Sequence, residues 1–368
     1  MSVPGLLTKT KTLAGPDLGE SLRQIWAAVD STDGNIPPRL RTHDDLTKVR
    51  KAHGTQCAEI LTVFSTEYYQ IVLAQGVCSP LGAAMIFYPA MSSVGTWFHK
   101  RRALALGIMA SGSSLGGVIF PIMVEHLNRR VGFAWSMRAA AFLILGLMVY
   151  ANLTVKSRLP PTPRPWSVKE FVQPLKEPPF FLIVAASFLF FFGMFLPFNF
   201  IILHAEAHGM SARLAGYLLA VLNAVSIFGR TLPGYFADRF GRFNTMIYTS
   251  YLSAILVLAL WLPSKGNIPI IFFAAFYGFS SGAFVSLAPA LIAQISDIRQ
   301  LGVRTGTLFA VISLAALTGN PIGGQLVKDQ GGAFQHLQIF CGIMMLAGAT
   351  VFIAARSSLV GMKLIANI

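Results

Sequence analysis

Long stretches without a charged side chain divide this sequence into segments of membrane-spanning length. A helix needs about 20 apolar residues to cross roughly 30 Å of hydrocarbon. Seven stretches meet this requirement and contain no Asp, Glu, Lys or Arg: 68–98, 103–124, 178–203, 243–264, 266–296, 305–327 and 337–355. Segments 131–155 and 214–237 each contain a single arginine, Arg138 and Arg230 respectively. Nine spanning helices are therefore predicted, and the expected fold class is all-α.

The N-terminal part of the chain has a different pattern. Residues 1–56 are polar and contain no apolar stretch of the kind that a signal peptide requires. Residues 57–66 are apolar over about half the length of a span. That stretch is interrupted by Glu59. We interpret it as part of a helix, so the chain is expected to lack complete helices ahead of its first full span.

Composition indicates that lipid is the solvent for much of the surface. Of the 368 residues, 54% are hydrophobic and 12% are charged, too few charged groups to cover an ordinary water-facing surface. The net charge of +14 could suggest nucleic acid, but the basic residues lie in short loops between apolar stretches. No nucleic-acid partner is predicted, and the lipid bilayer is the expected one. The cysteines have neither disulfide nor zinc-ligand spacing, and no metal or other cofactor is predicted.

Basic residues are distributed unevenly between alternate loops, and Lys and Arg in short loops mark the cytoplasmic side. One set of loops contains twelve: Lys100, Arg101, Arg102, Lys156, Arg158, Arg164, Lys169, Lys176, Arg239, Arg242, Arg299 and Arg304. The other set contains five: Arg129, Arg130, Arg213, Lys265 and Lys328. The first set and the C-terminal tail are therefore predicted to be cytoplasmic. The plasma membrane is favoured over a vacuolar or other internal membrane.

These assignments divide the chain into five segments. They are a polar N-terminal segment (1–56), an incomplete first helical bundle (57–155), a cytoplasmic linker (156–177), a six-helix second bundle (178–356) and a cytoplasmic tail (357–368). The pattern Gly-Ala-x5-Pro-Ala occurs at 82–90 and again at 282–290, in the two bundles. Such internal repeats are typical of transport proteins. The alternative is the generic packing of small residues between membrane helices.

The sequence GYFADRFGR at 234–242 closes one predicted span and opens the next. Its glycines allow a tight turn and close approach of helices. Asp238, Arg239 and Arg242 can make charge-assisted hydrogen bonds across an interface between bundles. We predict that these three residues, with Gly241, form a gate on the cytoplasmic side. The alternative is an ordinary charged loop.

A second motif, WFHKRRALALGIMASGS, occupies residues 97–113. The two motifs resemble those of the major facilitator superfamily, and the second resembles the signature of its monocarboxylate-transporter-like branch, which includes fungal porter-like proteins. The resemblance covers residues from about 57 to 356. It implies a fold that normally has about twelve helices in two related bundles, of which this chain would lack the first two to three. It also adds Lys100, Arg101 and Arg102 to the predicted gate.

Arg230 is the main candidate for substrate binding, because a charged residue that faces lipid inside a span costs at least about 2.5 kcal/mol. In the animal monocarboxylate transporters that this sequence resembles, an arginine at the matching position binds the substrate carboxylate, helped by an aspartate one turn earlier. Ser226 occupies that earlier position here. Alternatively, Arg230 only braces the gate together with Asp238. Asn199 and Asn223 are further candidates, although such residues also hydrogen-bond between helices.

Other chemistry is not supported by the sequence. His204 and His208 would share a helix face, but no third ligand lies nearby, and a metal site is not predicted. The spans contain no paired catalytic carboxylates, no histidine cluster and no nucleophile motif. The protein is therefore predicted not to be an enzyme.

The sequence predicts a membrane transporter that moves a small organic anion of the monocarboxylate type, or a secondary metabolite, by alternating access. Its partners would be the substrate, the lipid bilayer and, in a symporter, H⁺. Uptake with a proton and export of a metabolite both remain open. Because the first bundle is expected to be incomplete, two further alternatives remain. Another copy of the chain could complete the bundle in an oligomer, or the protein could be a truncated, non-transporting interaction protein.

Overall fold

A computed structural model describes residues 68–155 and 167–361. Every regular element in these ranges is a helix, as the apolar pattern predicts, and neither range contains a strand. The helices are α1 (Tyr68–Ile71), α2 (Ser79–Trp97), α3 (Arg102–Thr154), α4 (Val168–Val172), α5 (Pro178–Met194), α6 (Leu196–Ala207), α7 (Ala212–Gly216), α8 (Leu218–Phe240), α9 (Arg242–Leu256), α10 (Asn267–Gln294), α11 (Leu301–Asp329) and α12 (Gln335–Val360). The predicted polar segment and partial helix, the proline-rich part of the linker and the end of the tail lie outside the described residues.

Eight helical segments in the described ranges are long and apolar enough to cross a membrane. One of them, α3, has 53 residues. A continuous helix of that length would extend about 80 Å, far more than the thickness of a bilayer core. Gly132 interrupts it with a φ of 79°, a conformation that glycine adopts readily. The interruption separates the predicted spans 103–124 and 131–155, so all nine predicted spans correspond to helical segments.

The first helix of the second bundle is broken. The sequence predicts one span over 178–203, whereas α5 ends at Met194 and α6 begins at Leu196. Pro197 has no N–H to donate to the preceding turn. Tyr277 of α10, which is fully buried, donates its hydroxyl to the backbone oxygen of Met194 at 2.7 Å. This hydrogen bond satisfies a carbonyl at the break.

Helix α8 lies between α3 and α10 and makes extensive contacts with both. Glycines permit this close approach. A methyl group on Gly107 of α3 would overlap the backbone oxygen of Arg230, and one on Gly278 of α10 would overlap that of Leu222. Small residues at membrane-helix contacts let backbones approach closely. The α3–α8 contact therefore joins the two predicted bundles.

The second bundle has a buried aromatic core. The rings of Trp261 and Phe273 stack with centroids 5.2 Å apart, and those of Phe273 and Tyr277 stack at 5.1 Å. Helix α5 packs against α11 and α12, and α9 packs against α10 and α12. The two copies of the repeated Gly-Ala-x5-Pro-Ala pattern lie in α2 and α10, each of which contains a proline in its interior.

An ion pair ties the end of the linker to the second bundle. Glu177, just before α5, accepts hydrogen bonds at 2.7 and 2.6 Å from the guanidinium of Arg304 in α11. Thr307 of α11 donates to the backbone oxygen of Phe171 in α4 at 3.1 Å. The described part of the linker therefore packs against the start of α11.

Candidate functional site

Arg230 lies in the α3–α8 contact and is 8% exposed. Its Nη1 donates to the backbone oxygen of Ala110 at 2.6 Å and to the hydroxyl of Ser113, and its Nε donates to Ser226 at 3.3 Å. The hydroxyl of Ser226 also accepts from Ser114 at 3.3 Å. The predicted residue Ser226 is thus a direct partner of Arg230. A single guanidinium connects α3 of the first bundle with α8 of the second.

All the hydrogen-bond acceptors around Arg230 are neutral. No carboxylate of the described residues forms an ion pair with it, and Asp238 pairs with Arg242 instead. The Nη2 group of Arg230 makes no hydrogen bond within the described part of the chain. Neutral dipoles compensate a buried cation only in part. The site therefore retains positive charge and free hydrogen-bond donors that suit an anion.

Asn223 lies two helical turns before Arg230 on the same face of α8. Its amide donates to the backbone oxygen of Leu219 at 2.9 Å. A methyl group on Gly117 of α3 would lie 2.8 Å from the Asn223 side chain. The absence of a side chain at Gly117 therefore makes room for Asn223. Two of the predicted substrate residues, Asn223 and Ser226, lie with Arg230 along one helix contact.

Asn199 lies in a different place. Its amide donates to the Oδ1 of Asn320 in α11 at 2.7 Å. The two amides border a mainly apolar cavity of about 180 Å³ whose lining includes Phe191 and Phe195, and Arg230 does not line it. The structure therefore separates Asn199 from the group around Arg230.

The predicted gate around Asp238 is closed. Its carboxylate accepts hydrogen bonds from the backbone N–H groups of Ala103 at 3.1 Å and Leu104 at 2.9 Å, in the first turn of α3. The first N–H groups of a helix have no partner within the helix and carry partial positive charge. Arg242 pairs with the same carboxylate at 3.1 Å. A carboxylate of the second bundle therefore caps a helix of the first.

Arg102 makes a second connection at the same end. Its Nη1 donates at 2.8 Å to the backbone oxygen of Ala293, in the last turn of α10, and its Nε donates to Phe98 at 3.1 Å. A cation is favourable at a helix C-terminus. Lys100 and Arg101, predicted as parts of the gate, are exposed beside it. Of the three consecutive basic residues, Arg102 is the one that bridges the two bundles.

The remaining predicted gate residues lie at the turn between α8 and α9. Arg239 is exposed, and Gly241 has a φ of 99°. That backbone conformation favours glycine and lets α9 begin immediately after α8. We call the end of the molecule formed by residues 98–104, 237–242 and 293–304 the basic end.

Sequence reasoning missed Ala110 and Ser113, which accept hydrogen bonds from Arg230, and Ser114, which donates to its partner Ser226. They lie in α3, in or directly after the motif at 97–113. The hydroxyls of Ser113 and Ser114 interrupt an otherwise apolar span, and this could have marked α3 as a helix that faces a polar group. The pattern alone does not say which helix faces which.

His204 and His208, the residues considered for a metal site, pack against each other with ring centroids 4.3 Å apart. The Nε2 of His204 lies 3.2 Å from the amide nitrogen of Gln338. The part of the chain that the structure describes contains no group of three His, Cys, Asp or Glu that could hold a metal ion. His204 therefore contacts Gln338 of α12, and His208 packs against His204.

The fold and these contacts define a class of protein: a multi-pass helical membrane protein with a buried cation and hydrogen bonds that join its two predicted bundles at one end. The Major Facilitator Superfamily matches residues 57–274 and 234–360 of the chain. The chain therefore belongs to the Major Facilitator Superfamily. It is an integral membrane transporter and not an enzyme, as the sequence predicts.

Similar proteins are fungal transporters. The chain is 50% identical over 309 residues to the MFS-type transporter 1 of Ophiocordyceps sp. (strain BCC 1869), covering 84% of this chain and 69% of that protein. It is 45% identical over 291 residues to the fujikurins efflux protein of Gibberella fujikuroi, covering 78% and 62% of the two chains. The aspyridones efflux protein apdF of Emericella nidulans is 40% identical over 299 residues, covering 81% and 60%.

These names support transport but do not specify a monocarboxylate-transporter-like branch, which stays a prediction. Among solved structures, the fucose transporter FucP in its outward conformation matches with a TM-score of 0.65 at 14% identity, covering 85% of this chain and 82% of that one. The likeness confirms the predicted fold class.

Proposed function

We propose that this transporter exports a small organic anion, either of the monocarboxylate type or an acidic secondary metabolite, by alternating access. Arg230 would bind the anionic group. Relatives named for the efflux of fujikurins and aspyridones support export over uptake. The predicted orientation, with the basic end in the cytoplasm, and the plasma membrane as the location are parts of the same proposal.

The observation that carries the proposal is the buried guanidinium of Arg230, which has only neutral partners among the described residues. A guanidinium has five N–H donors in a fixed planar arrangement that matches a carboxylate. Three of the hydrogen bonds of Arg230 go to the oxygens of Ala110, Ser113 and Ser226. Donors remain for a substrate, and an incoming carboxylate would supply the missing negative charge.

Asn223 and Ser226 complete the proposed binding residues because they lie with Arg230 in the same contact between bundles. Ser226 holds the Nε of Arg230 and so orients the guanidinium. Asn223 adds an amide that can donate and accept hydrogen bonds. Because alternating access rocks one bundle against the other, a substrate held in this contact would be exposed to each side in turn.

The hydrogen bonds that close the basic end support a conformation in which the substrate site is reached from the opposite side of the membrane. Asp238 and Arg102 each join one bundle to the other. Opening toward the cytoplasm would require both connections to break. In this proposal, the anion enters from the cytoplasm after the connections made by Asp238 and Arg102 break. When these connections form again, release on the other side of the membrane is favoured.

Proton coupling through the position of Ser226 is not part of the proposal, since a serine hydroxyl does not ionise near neutral pH, whereas a carboxylate binds and releases a proton. Flux measured with and without a pH gradient would test coupling through any other group. The oligomeric alternative would be tested by the mass of the purified protein in a lipid nanodisc.

The test uses the full chain reconstituted in liposomes. It compares the flux of hippurate with that of the matching amide, in which an uncharged carboxamide replaces the carboxylate. Protein-free liposomes give the background. Because a site built around a charged donor rejects a ligand that lacks its partner group, hippurate flux should exceed that of the amide by at least about tenfold. Arg230→Lys should lower hippurate flux about tenfold, since lysine retains charge but loses the planar fork.

Arg138→Lys is the matched control, because it makes the same change in another span and should leave the flux of hippurate unchanged. If Arg230→Lys lowers the melting temperature so far that unfolding accounts for the whole loss of flux, the substrate-binding role of Arg230 is overturned. A folded wild-type protein without flux for any tested acid or metabolite would instead support a non-transporting interaction protein.

A further inference from the structure

A cavity of about 460 Å³ opens at the basic end, next to the gate. Four parts of the chain border it: the turn before α3, the α8–α9 turn, the end of α10 and the start of α11. The polar residues that line it are His99, Arg102, Asp238, Arg239, Arg242, Gln294 and Ser296. The cavity therefore lies across the boundary between the two predicted bundles, away from Arg230, which does not line it.

The lining of this cavity is electropositive. It contains the guanidiniums of Arg102, Arg239 and Arg242 but only one carboxylate, that of Asp238. Asp238 already accepts hydrogen bonds from Arg242 and from two backbone N–H groups of α3, so its negative charge is compensated. Arg239 is exposed and forms no ion pair within the described ranges. A concave surface lined by one sign of charge concentrates ions of the opposite sign.

Two polar side chains in the cavity lining lack partners. The Oε1 of Gln294 and the Oγ of Ser296 are buried and make no hydrogen bond within the described part of the chain. Buried polar atoms are nearly always hydrogen-bonded in native proteins. The hydroxyl of Ser296 can donate a hydrogen bond, and so can the amide of Gln294 through its nitrogen. An oxyanion in the cavity would give the Ser296 hydroxyl a partner, and it could accept from the Gln294 Nε2, whereas the Gln294 Oε1 is itself an acceptor and needs a donor.

We propose that this cavity binds a phosphate monoester. A phosphate monoester carries about −1.5 to −2 charges near neutral pH and has three terminal oxygens, which suits three guanidiniums and the unpaired Ser296 hydroxyl better than a carboxylate does. The volume leaves room for the organic group that the phosphate carries. This chemistry occurs both in lipid headgroups, such as that of phosphatidic acid, and in soluble phosphorylated metabolites.

A ligand bound here would strengthen the closed gate. Arg102 belongs to α3, whereas Arg239 and Arg242 belong to the α8–α9 turn. A phosphate that contacts residues of both groups would link the two bundles and stabilise the closed state relative to the open one, because a ligand shifts an equilibrium toward the state that it binds better. The site would therefore act as a regulatory site, separate from the substrate site.

The experiment uses the full chain in nanodiscs and measures its melting temperature. In phosphatidylcholine nanodiscs, glycerol 3-phosphate is titrated as the soluble probe, and methyl sulfate serves as a tetrahedral anion with a single charge. In a second arm, nanodiscs containing phosphatidic acid are compared with nanodiscs containing the phosphodiester phosphatidylglycerol. A saturable rise with glycerol 3-phosphate identifies a soluble ligand, a rise with phosphatidic acid alone identifies a lipid ligand, and either result supports the site.

Two variants locate the binding. Arg239→Gln should weaken the response to the phosphate monoester about tenfold, because a charge-assisted hydrogen bond is lost, and Ser296→Ala should weaken it about threefold. Arg299→Gln removes the same charge from an exposed residue that does not line the cavity, and it should leave the response unchanged. The proposal is overturned if neither probe raises the melting temperature beyond its control, or if Arg299→Gln weakens the response as much as Arg239→Gln.

Discussion

Two arginines of this protein are buried to nearly the same extent but have opposite surroundings. Arg304 is 7% exposed and Arg230 is 8% exposed. Arg304 forms two short hydrogen bonds with the carboxylate of Glu177, and its guanidinium lies 5.5 Å from the ring centre of Phe180. Among the described residues, Arg230 has only the neutral oxygens of α3 and α8 as partners.

The difference is the basis on which we propose a structural role for Arg304 and a binding role for Arg230. A buried charge is tolerated when a counter-ion and hydrogen bonds compensate it, as Glu177 does for Arg304. A buried charge without a counter-ion costs stability, and such costs concentrate at functional sites in membrane proteins. Arg304 therefore holds the linker against the second bundle, whereas we propose that Arg230 binds a ligand. Four predictions test this contrast, from the largest expected effect to the smallest.

The largest effect is expected from removing the charge of Arg230. Arg230→Gln should lower hippurate flux about thirtyfold, equivalent to roughly 2 kcal/mol of lost charge-assisted hydrogen bonding. The melting temperature should stay close to that of the wild type, because the variant also removes an uncompensated buried charge. Flux in liposomes and thermal unfolding in nanodiscs measure the two quantities.

Arg304→Gln should give the reverse pattern, with a lower melting temperature and a flux per folded molecule within about twofold of the wild type. If Arg230→Gln and Arg304→Gln each lower both the hippurate flux and the melting temperature to a similar extent, the proposed contrast between the two arginines is wrong.

The second prediction alters the packing around Arg230 without touching its charge. A methyl group on Gly107 would overlap the backbone oxygen of Arg230, so Gly107→Ala should lower the free energy of unfolding by about 2 kcal/mol. Gly112→Ala is the control in the same helix, since a methyl group there meets nothing within 4 Å. Similar unfolding curves for the two variants would argue against a close α3–α8 contact.

The third prediction removes the charge of the partner of Arg304. Glu177→Gln should lower the free energy of unfolding by about 1 kcal/mol, a modest loss because the Glu177 side chain is 49% exposed. Flux should be nearly unchanged. Glu125→Gln is the matched control, because the pair of Glu125 with Arg129 is exposed on both sides, and it should leave the unfolding curve unchanged. An equal loss of unfolding free energy in both variants would show that the burial of Arg304 does not strengthen its ion pair with Glu177.

The smallest effect is expected at Ser226. Ser226→Ala removes one neutral acceptor from Arg230, while those of Ala110 and Ser113 remain. Hippurate affinity should fall about threefold, as for the loss of one ordinary hydrogen bond. Ser280→Ala serves as the control, since Ser280 is equally buried and bonds within its own helix. A loss as large as that of Arg230→Gln would mean that Ser226 contacts the substrate directly.

Much of the fold could be predicted from the sequence because the constraint is local. Each span must supply enough apolar residues for the hydrocarbon thickness, and the described spans agree with the uncharged stretches. The motif at 234–242 also indicated that Asp238 bonds across a boundary between bundles. The break before Pro197 was missed, although proline lacks the N–H that an unbroken helix would use. The hydroxyl of Tyr277, far away in sequence, donates to the backbone oxygen of Met194 at the break.

The candidate site could be predicted only in part. Arg230 was singled out because a charge inside a span needs a reason to be there, and Ser226 because it stands where the resembling transporters have an aspartate. Asn199 was expected near them, but its amide bonds to Asn320 instead. Both asparagines lie in apolar spans, and nothing in the local pattern specifies the neighbour of either one.

The sequence by itself determined that the chain crosses a membrane repeatedly, where the spans lie and which of them contain charges, because these properties depend on the local cost of polar groups in hydrocarbon. Only the tertiary structure decided the partners. Ala110 and Arg230 are 120 residues apart along the chain and hydrogen-bond at 2.6 Å. No local pattern encodes such a contact, because it depends on glycines in several helices that let their backbones approach one another. The same packing leaves Arg304 with a carboxylate and Arg230 without one.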